Sequence, residues 1–452
     1  MGRTVLAEER LENYIQQLYG EKQECLVGLI IGQLTSQRDY VIHMARTPPP
    51  EEEEDKDETG KTKSSMPPLD KTSEHWVVTH AKQVVRMLPG SMDVIGIFAM
   101  APPDMMQKAQ AKLRQLIFAI HKALSKAQNL YNRDPPTTDR VLLQICNTTR
   151  KLTCRTFDVA DHKCTTKPAE WKFSSFLDGW SRVETSLSVN TSIPVPIEKM
   201  SSDLEKQIHM GLAPFCDRIW NSLGTIDGQF CDVKRLLDTS SETQKKGKRD
   251  KTSANISMKK FNVDLLMQMS SGSTTEPTVT SCGATMLIRG RIVGRAFLPH
   301  KATVEDALKA IKTDLIRSLI SRCDLLCEDL LQSEEEQDPK ILYETPVRIF
   351  TKLGSTPLTM CDYIFQDEKL QDVIDRNSEL MELHLTDEQV ELDFERIPEE
   401  NELVKPEKRR RTVSGSFTEH KASSQNSVIG VAISGVVAII GVVVSYLYFQ
   451  QE

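Results

Sequence analysis

The chain has no apolar stretch near its N-terminus. MGRTVLAEERLENYIQQLYG carries a charge every few residues, which predicts that no secretory signal peptide is present. The Met-Gly start suggests myristoylation, yet Leu6 stands where that motif requires Ser or Thr. No segment is dense in cysteine. Cys25, Cys146, Cys154, Cys164, Cys216, Cys231, Cys282, Cys323, Cys327 and Cys361 are scattered over 452 residues, which excludes a disulfide scaffold and predicts a cytosolic body with reduced thiols. There is no surplus of positive charge: 57 Lys+Arg against 64 Asp+Glu give −7, against a nucleic-acid partner. Catalytic signatures are missing too. The sequence holds no G-x-S-x-G, no phosphate-binding P-loop, no H-E-x-x-H helix and no dinucleotide fingerprint at Gly90 and Gly96.

What is present is globular. Hydrophobic residues make up 39% and charged residues 27%, and the length suits two or three folded units. One run differs from everything else. Val428 to Phe449 (VIGVAISGVVAIIGVVVSYLYF) is 22 residues without a charge. As a helix it would be about 33 Å long, enough to cross a hydrocarbon core of ~30 Å. Tyr446 and Tyr448 lie near one end, as interfacial aromatics do, and Lys408, Arg409, Arg410, Arg411 and Lys421 precede the run. The expectation is a tail-anchored protein with its N-terminal body in the cytosol. Gly430 and Ser434 have the small-xxx-small spacing of packed membrane helices.

The pattern predicts an α/β (α+β) chain with the following organisation. Residues 1–240 form a first domain, opening as helix, strand, turn, strand, with a charged, Pro-flanked disordered insertion at 47–73. Within it, Cys25–Ile31, Asp39–Met44, Met92–Ala99, Val141–Cys146 and Leu152–Val159 read as strands and His75–Leu88 as a helix. A long helix follows Pro102-Pro103-Asp104, its apolar face built from Met106, Ala109, Leu113, Leu116, Ile117, Ile120, Leu124 and Tyr131. Residues 160–240 read as a looser mixture of elements that holds Trp171, Trp180 and Trp220. A basic linker spans 241–260 and a second α/β region 261–385. There Ala284–Arg289 and Ile292–Leu298 read as a hairpin about Gly290. Thr303 and Asp306 form a capping box before a long helix with Leu308, Ile311, Leu315, Leu319, Leu326 and Leu330 on one face. Leu342–Lys352 reads as a strand. Residues 386–427, acidic, then basic, then Ser-rich, read as a flexible stalk spanning roughly 35 Å, before the transmembrane helix at 428–449.

Candidate chemistry is sparse. Cys154, His162 and Cys164 are the nearest approach to zinc spacing, but only the last two are close enough to pair. Cys323 and Cys327, four apart on the long helix, read as core thiols. His80, His121 and His300 cannot be matched to any cysteine from sequence.

The stretch CLVGLIIGQ and the later MLPGSMDVIGIFAMAPPDMMQKA together resemble the MPN fold of metal-dependent isopeptidases. The resemblance aligns Gly96-Ile97-Phe98-Ala99-Met100-Ala101-Pro102 with the segment that carries the two zinc histidines in active members. It therefore places Ala99 and Ala101 at the histidine positions, Ala109 and Lys112 at the following Ser and Asp positions, and the base position near Cys25, with Glu24 beside it. Alanine cannot coordinate zinc, and a lysine would repel it. The resemblance thus implies a catalytically dead MPN-like domain, with no catalytic residue, no metal at these positions and no cofactor. With GRIVGRAFLPHKATVEDALKAIKTDLIRSL and the C-terminal run, the whole chain resembles the odorant response abnormal protein 4 family. That resemblance implies action at the endoplasmic reticulum membrane, in folding and export of G-protein-coupled receptors including odorant receptors. It also implies pairing with the protease specific for the ubiquitin-fold modifier.

The leading expectation is therefore a non-catalytic membrane adaptor. Two rivals stand beside it. One is a direct receptor chaperone acting through residues 428–449. The other is a cysteine hydrolase using Cys25 or Cys282.

Overall fold

The computed structural model describes residues 2–20, 25–49, 68–131, 135–238, 258–268, 281–332, 343–392, 395 and 441–446. The first part is built from β1 (Arg3–Ala7), α1 (Arg10–Leu18), β2 (Leu26–Leu34), β3 (Arg38–Arg46), α2 (Glu74–Arg86), β4 (Asp93–Ala101), α3 (Pro103–Lys108), α4 (Gln110–Tyr131), β5 (Asp139–Cys146), β6 (Leu152–Asp158) and β7 (Lys167–Phe173). The strands close a barrel in the order β1-β3-β2-β4-β5-β6-β7. Closure depends on β1, which runs parallel to both β3 and β7, with Val5 opposite Asp39 and Trp171. Sequence reading expected no strand before α1.

β2 is apolar over residues 26–32 because both of its faces are covered there. One face packs on Leu11, Ile15 and Leu18 of α1, and the other on Val77, Ala81 and Val84 of α2 and Leu113, Leu116 and Ile117 of α4. Gly28 is required there: a Cβ would lie 2.4 Å from the Phe98 ring and from the Ala45 carbonyl oxygen. Ser73 caps α2 by accepting from the Trp76 amide at 3.4 Å, and the 3.6-residue period carries Val77, Ala81 and Val84 inward.

The second part contains β8 (Ser181–Pro196), α5 (Leu204–Trp220), β9 (Leu223–Ile226), β10 (Lys259–Leu266), β11 (Cys282–Leu298), α6 (Val304–Gln332) and β12 (Tyr343–Glu344). A third group, β13 (Val347–Lys352), β14 (Thr359–Ile364), α7 (Leu370–Met381) and β15 (Val390–Glu391), bridges it to the barrel. β8 and β11 pair antiparallel along their whole lengths, from Leu298↔Ser181 to Cys282↔Pro196. β8 alternates buried and exposed residues (Val183, Leu187 and Val189 inward), and α5 and α6 cover its apolar face. The capping box forms as expected: the Thr303 amide donates to Asp306 Oδ2 at 2.8 Å and the Asp306 amide to Thr303 Oγ1 at 3.2 Å.

Several expectations are corrected. The sheets divide the chain between β7 and β8, not at residue 240, because β8 and α5 find their partners in β11 and α6. There is no hairpin about Gly290. It sits mid-strand opposite Val189 with φ of 154°, a conformation that glycine takes without a side-chain clash, so the chain passes through it without turning. The ends of the 47–73 insertion are ordered: Thr47 and Leu69 are buried, while 50–67 lie outside the described residues. Lys259 and Lys260 of the expected linker belong to β10, and 239–257 lie outside the description. The expected stalk begins late, because Glu391 and Glu395 are bonded into the second part. Of the apolar run 428–449, only Gly441–Tyr446 is described, as a strand, β16, beside β11. Among the described residues, no helix is long and apolar enough to cross a membrane.

The glutamates of that late segment meet three arginines exposed by 1% or less. The Arg322 guanidinium donates to both Glu395 oxygens at 2.6 Å, and the Arg348 amide donates to Glu395 Oε2 at 3.0 Å. Arg348 grips Asp314 with two bonds of 2.7 and 2.8 Å. Arg295 bonds Glu184 and Glu391 and stacks 4.0 Å above the Phe350 ring. Each charge is paired and hydrogen-bonded, the condition for tolerating burial.

Candidate functional site

The positions singled out by the MPN resemblance meet at one corner of the barrel. β2 and β4 are antiparallel neighbours, with Val27 opposite Ala99 and Leu26 opposite Met100, so Cys25 lies level with the end of β4. Pro102 ends the strand and Pro103 starts α3, which suits a fixed φ and a missing N–H. Just past the end of α3, Ala109 joins it to α4: its amide donates to the Met105 carbonyl at 3.0 Å, and its carbonyl accepts from the Leu113 amide at 2.9 Å. Alternation along β4 sends Ile97, Ala99 and Ala101 to the helix-covered face and Phe98 and Met100 to the face under α1.

Cys25, Ala99, Ala101 and Ala109 therefore share one buried apolar cluster. The three alanines have no exposed surface, and the Cys25 sulfur lies 3.2 Å from the Met105 thioether. Lys112, on the first turn of α4, is half-buried and outside the buried set. Methyl groups and a thioether offer neither a hard metal ligand nor a proton acceptor. A cleft of about 80 Å³ opens beside Cys25, lined by Thr47, Pro48, Lys71, Ser73 and Trp76 among others, without a histidine or a carboxylate. A cysteine nucleophile there has no histidine or carboxylate base among the described lining residues. Glu24 lies outside the described residues. Cys282, the other thiol considered, is exposed at the start of β11. Cys154, His162 and Cys164 do not gather: among the described residues, the metal-competent trio is Glu205, His209 and Asp324.

The histidines that do matter in this region are His43 and His80. His43 Nε2 lies 2.6 Å from the Met381 carbonyl, and His80 Nε2 2.8 Å from that of Leu380. Each must be the donor, so both rings hold the last turn of α7 against the barrel. Burial pushes His43 down to about 4, with the nearby Arg10 charge adding to it, and burial lowers His80 as well. Glu382, in the left-handed conformation at the end of α7, accepts from Tyr14 Oη at 2.6 Å and from the Arg46 amide at 2.8 Å, and its other oxygen pairs with the Arg46 side chain. Sequence reading overlooked His43, which is an ordinary strand position by pattern. The signal was a histidine inside the apolar stretch of residues 41–45.

Comparison with known proteins places the chain among named relatives. The family described as odorant response abnormal 4-like matches residues 28–392. A protein odr-4 homolog of Xenopus laevis is 35% identical over the full length of both chains, and that of Mus musculus is 33% identical, also over both full lengths. Odorant response abnormal protein 4 of Caenorhabditis elegans is 25% identical over 83% of this chain and 77% of its own. A solved structure, UfSP from C. elegans, aligns with a TM-score of 0.40 and 8% identity, over 84% of this chain and 56% of that one, too distant to establish a shared fold.

Proposed function

Because the chain belongs to the odorant response abnormal 4-like family, we propose that it is a non-catalytic, membrane-anchored adaptor. In this reading it works at the endoplasmic reticulum in the folding and trafficking of G-protein-coupled receptors, odorant receptors among them. It also brings the ubiquitin-fold-modifier protease to that membrane. The observation that carries the non-catalytic part is the buried cluster of Ala99, Ala101 and Ala109 with Cys25. An MPN-like domain filled with methyl groups at those positions serves as a docking body. The anchor is the uncharged run 428–449, and Lys408–Arg411 before it keep the body on the cytosolic side. Tethering raises the local concentration of a bound enzyme near its membrane substrates.

Deleting 428–452 tests this. The shortened chain retains the protease, and both move to the cytosol. A protease that stays on the membrane, or a soluble body that fails to bind it, overturns the adaptor. Replacing 428–449 by an unrelated anchor separates the rival. An adaptor keeps receptor export, whereas a chaperone that packs receptor helices through Gly430 and Ser434 loses it.

A further inference from the structure

The loop that follows β9 holds apolar side chains in the open. Asp227 and Gly228, at φ of 50° and 76°, turn the chain so that Gln229 bridges back to Ile226. The loop then runs past the start of α6 and satisfies amides that a helix leaves unbonded at its N-terminus. The Val304 amide donates to the Arg235 carbonyl and the Glu305 amide to that of Val233, both at 2.9 Å. The Leu237 amide donates to the Ala302 carbonyl, also at 2.9 Å. Backbone bonds therefore fix the loop, and Phe230, Val233 and Leu236 stay outside at 69%, 45% and 40% exposure. Leu223 of β9 and Leu266 of β10, opposite each other in the ladder, extend this surface. Of the ten large hydrophobic side chains exposed among the described residues these are five, so the uncovered apolar surface is concentrated here. They present roughly 500 Å², the size of patches that mark interaction sites.

We propose that this surface joins two copies of the chain about a two-fold axis beside Phe230. Shape is the first reason. Phe230 stands at the edge of a cleft of about 340 Å³, walled by Trp220, Leu223, Val233 and Leu308 among others. A projecting ring next to an apolar hole fits a copy of itself: turned by the two-fold, each ring enters the other's hole. Charge is the second. Asp227, Asp232, Lys234 and Arg235 are all exposed along the loop, two of each sign. A balanced set does not select an anionic membrane or a strongly charged partner. In a two-fold contact, however, each acid meets a base of the copy. Area is the third. Two such patches bury roughly 1,000 Å², and the charged rim brings the contact into the ~1,200–2,000 Å² of a stable pair.

The test uses the full chain. In mild detergent, light scattering corrected for the micelle gives the protein mass, and the expected mass is that of two chains. In membranes from cells that make the chain, a short bis-maleimide links two copies through Cys231, which lines this cleft and the one beside Leu236. Cys231→Ser removes the link. Phe230→Glu changes a mostly exposed side chain and leaves the circular dichroism spectrum as it was. It halves the mass and lowers the linked fraction by roughly tenfold or more, as loss of a central interface residue does. Val233→Glu, on the same loop, acts in the same direction. Gly430→Leu with Ser434→Leu, in the anchor, changes neither reading. A single-chain mass for the unsubstituted protein overturns the proposal. So does a pair that survives both loop variants, or a link that survives Cys231→Ser. A pair lost only with the anchor variant overturns it too, since its copies are then joined through their membrane segments.

Discussion

Ala99, Ala101 and Ala109 in the barrel and Arg295, Arg322 and Arg348 in the second part are hidden from solvent to the same degree, at 1% exposure or less. The barrel corner is filled by methyl groups, each making weak contacts with many neighbours. The second part is filled by guanidinium groups, each held by one or two named carboxylates. In the first, cohesion is spread over a cluster in which no contact is indispensable. In the second it is concentrated, because removing one carboxylate strands a charge in a place where water cannot reach it. A residue pattern reveals the first kind of core. The second depends on partners brought together from far apart in the chain.

The largest effect should come from orphaning a charge. Asp314→Ala leaves the Arg348 guanidinium buried without its partner and should cost about 3–5 kcal/mol in urea unfolding. The double change Asp314→Leu with Arg348→Met should cost clearly less than the single. Equal costs would mean that the pair itself, and not the stranded charge, holds this core.

An effect of middle size concerns protons. His43 in the folded chain titrates near 4, below the ordinary 6.5, so the unfolded chain binds the extra proton first. Its stabilising contribution is complete above pH 6.5 and declines as pH falls toward 4, by about 3 kcal/mol in all. Melting temperature followed over that window should fall, and His43→Gln should flatten the fall. Part of the slope should remain, since burial lowers His80 too. A wild-type curve that is flat between pH 6.5 and 4 would show that α7 is not held by neutral imidazoles.

The smallest effect belongs to the methyl-filled corner. Ala101→Val adds two methyl groups to a fully buried site and should cost roughly 1–2 kcal/mol, measured by the same unfolding. A loss as large as that of Asp314→Ala would erase the contrast between the two cores.

Much of the barrel was legible because its signals are local. Residues 26–32 and 94–101 are unbroken apolar runs, and α4 repeats its apolar face every three or four residues. The corner with Cys25, Ala99, Ala101 and Ala109 followed from one recognisable join, a strand ended by Pro102 and a helix begun by Pro103. Two features escaped. β8 has a clean two-residue alternation, but Ser, Thr, Asn and Glu hold its outer positions, and a single apolar face reads weakly when its partner is far away in sequence. Glu391 and Glu395 lie in a stretch acidic enough to read as a solvated stalk. Nothing within ten residues of them announces the arginines on α6, β11 and β13 that draw them in. Composition describes a segment's average, whereas burial of an acid depends on the individual partner.

The long β8–β11 ladder also sets a timetable for synthesis. Ser186 and Arg291, which hydrogen-bond across it, are 105 positions apart. At a ribosomal pace of ~5–20 residues per second, β8 emerges roughly 5–20 s before the strand that pairs with it. The barrel, complete by Phe173, can close in that interval, while β8 leaves the ribosome with a bare edge and an apolar face. Pairings so remote in sequence also form slowly, because loop closure must precede any contact. The nascent chain is therefore a finished N-terminal body carrying an open strand. Protection of that strand by a chaperone, from the time β8 emerges until β11 arrives, would govern how much of the protein reaches its native state.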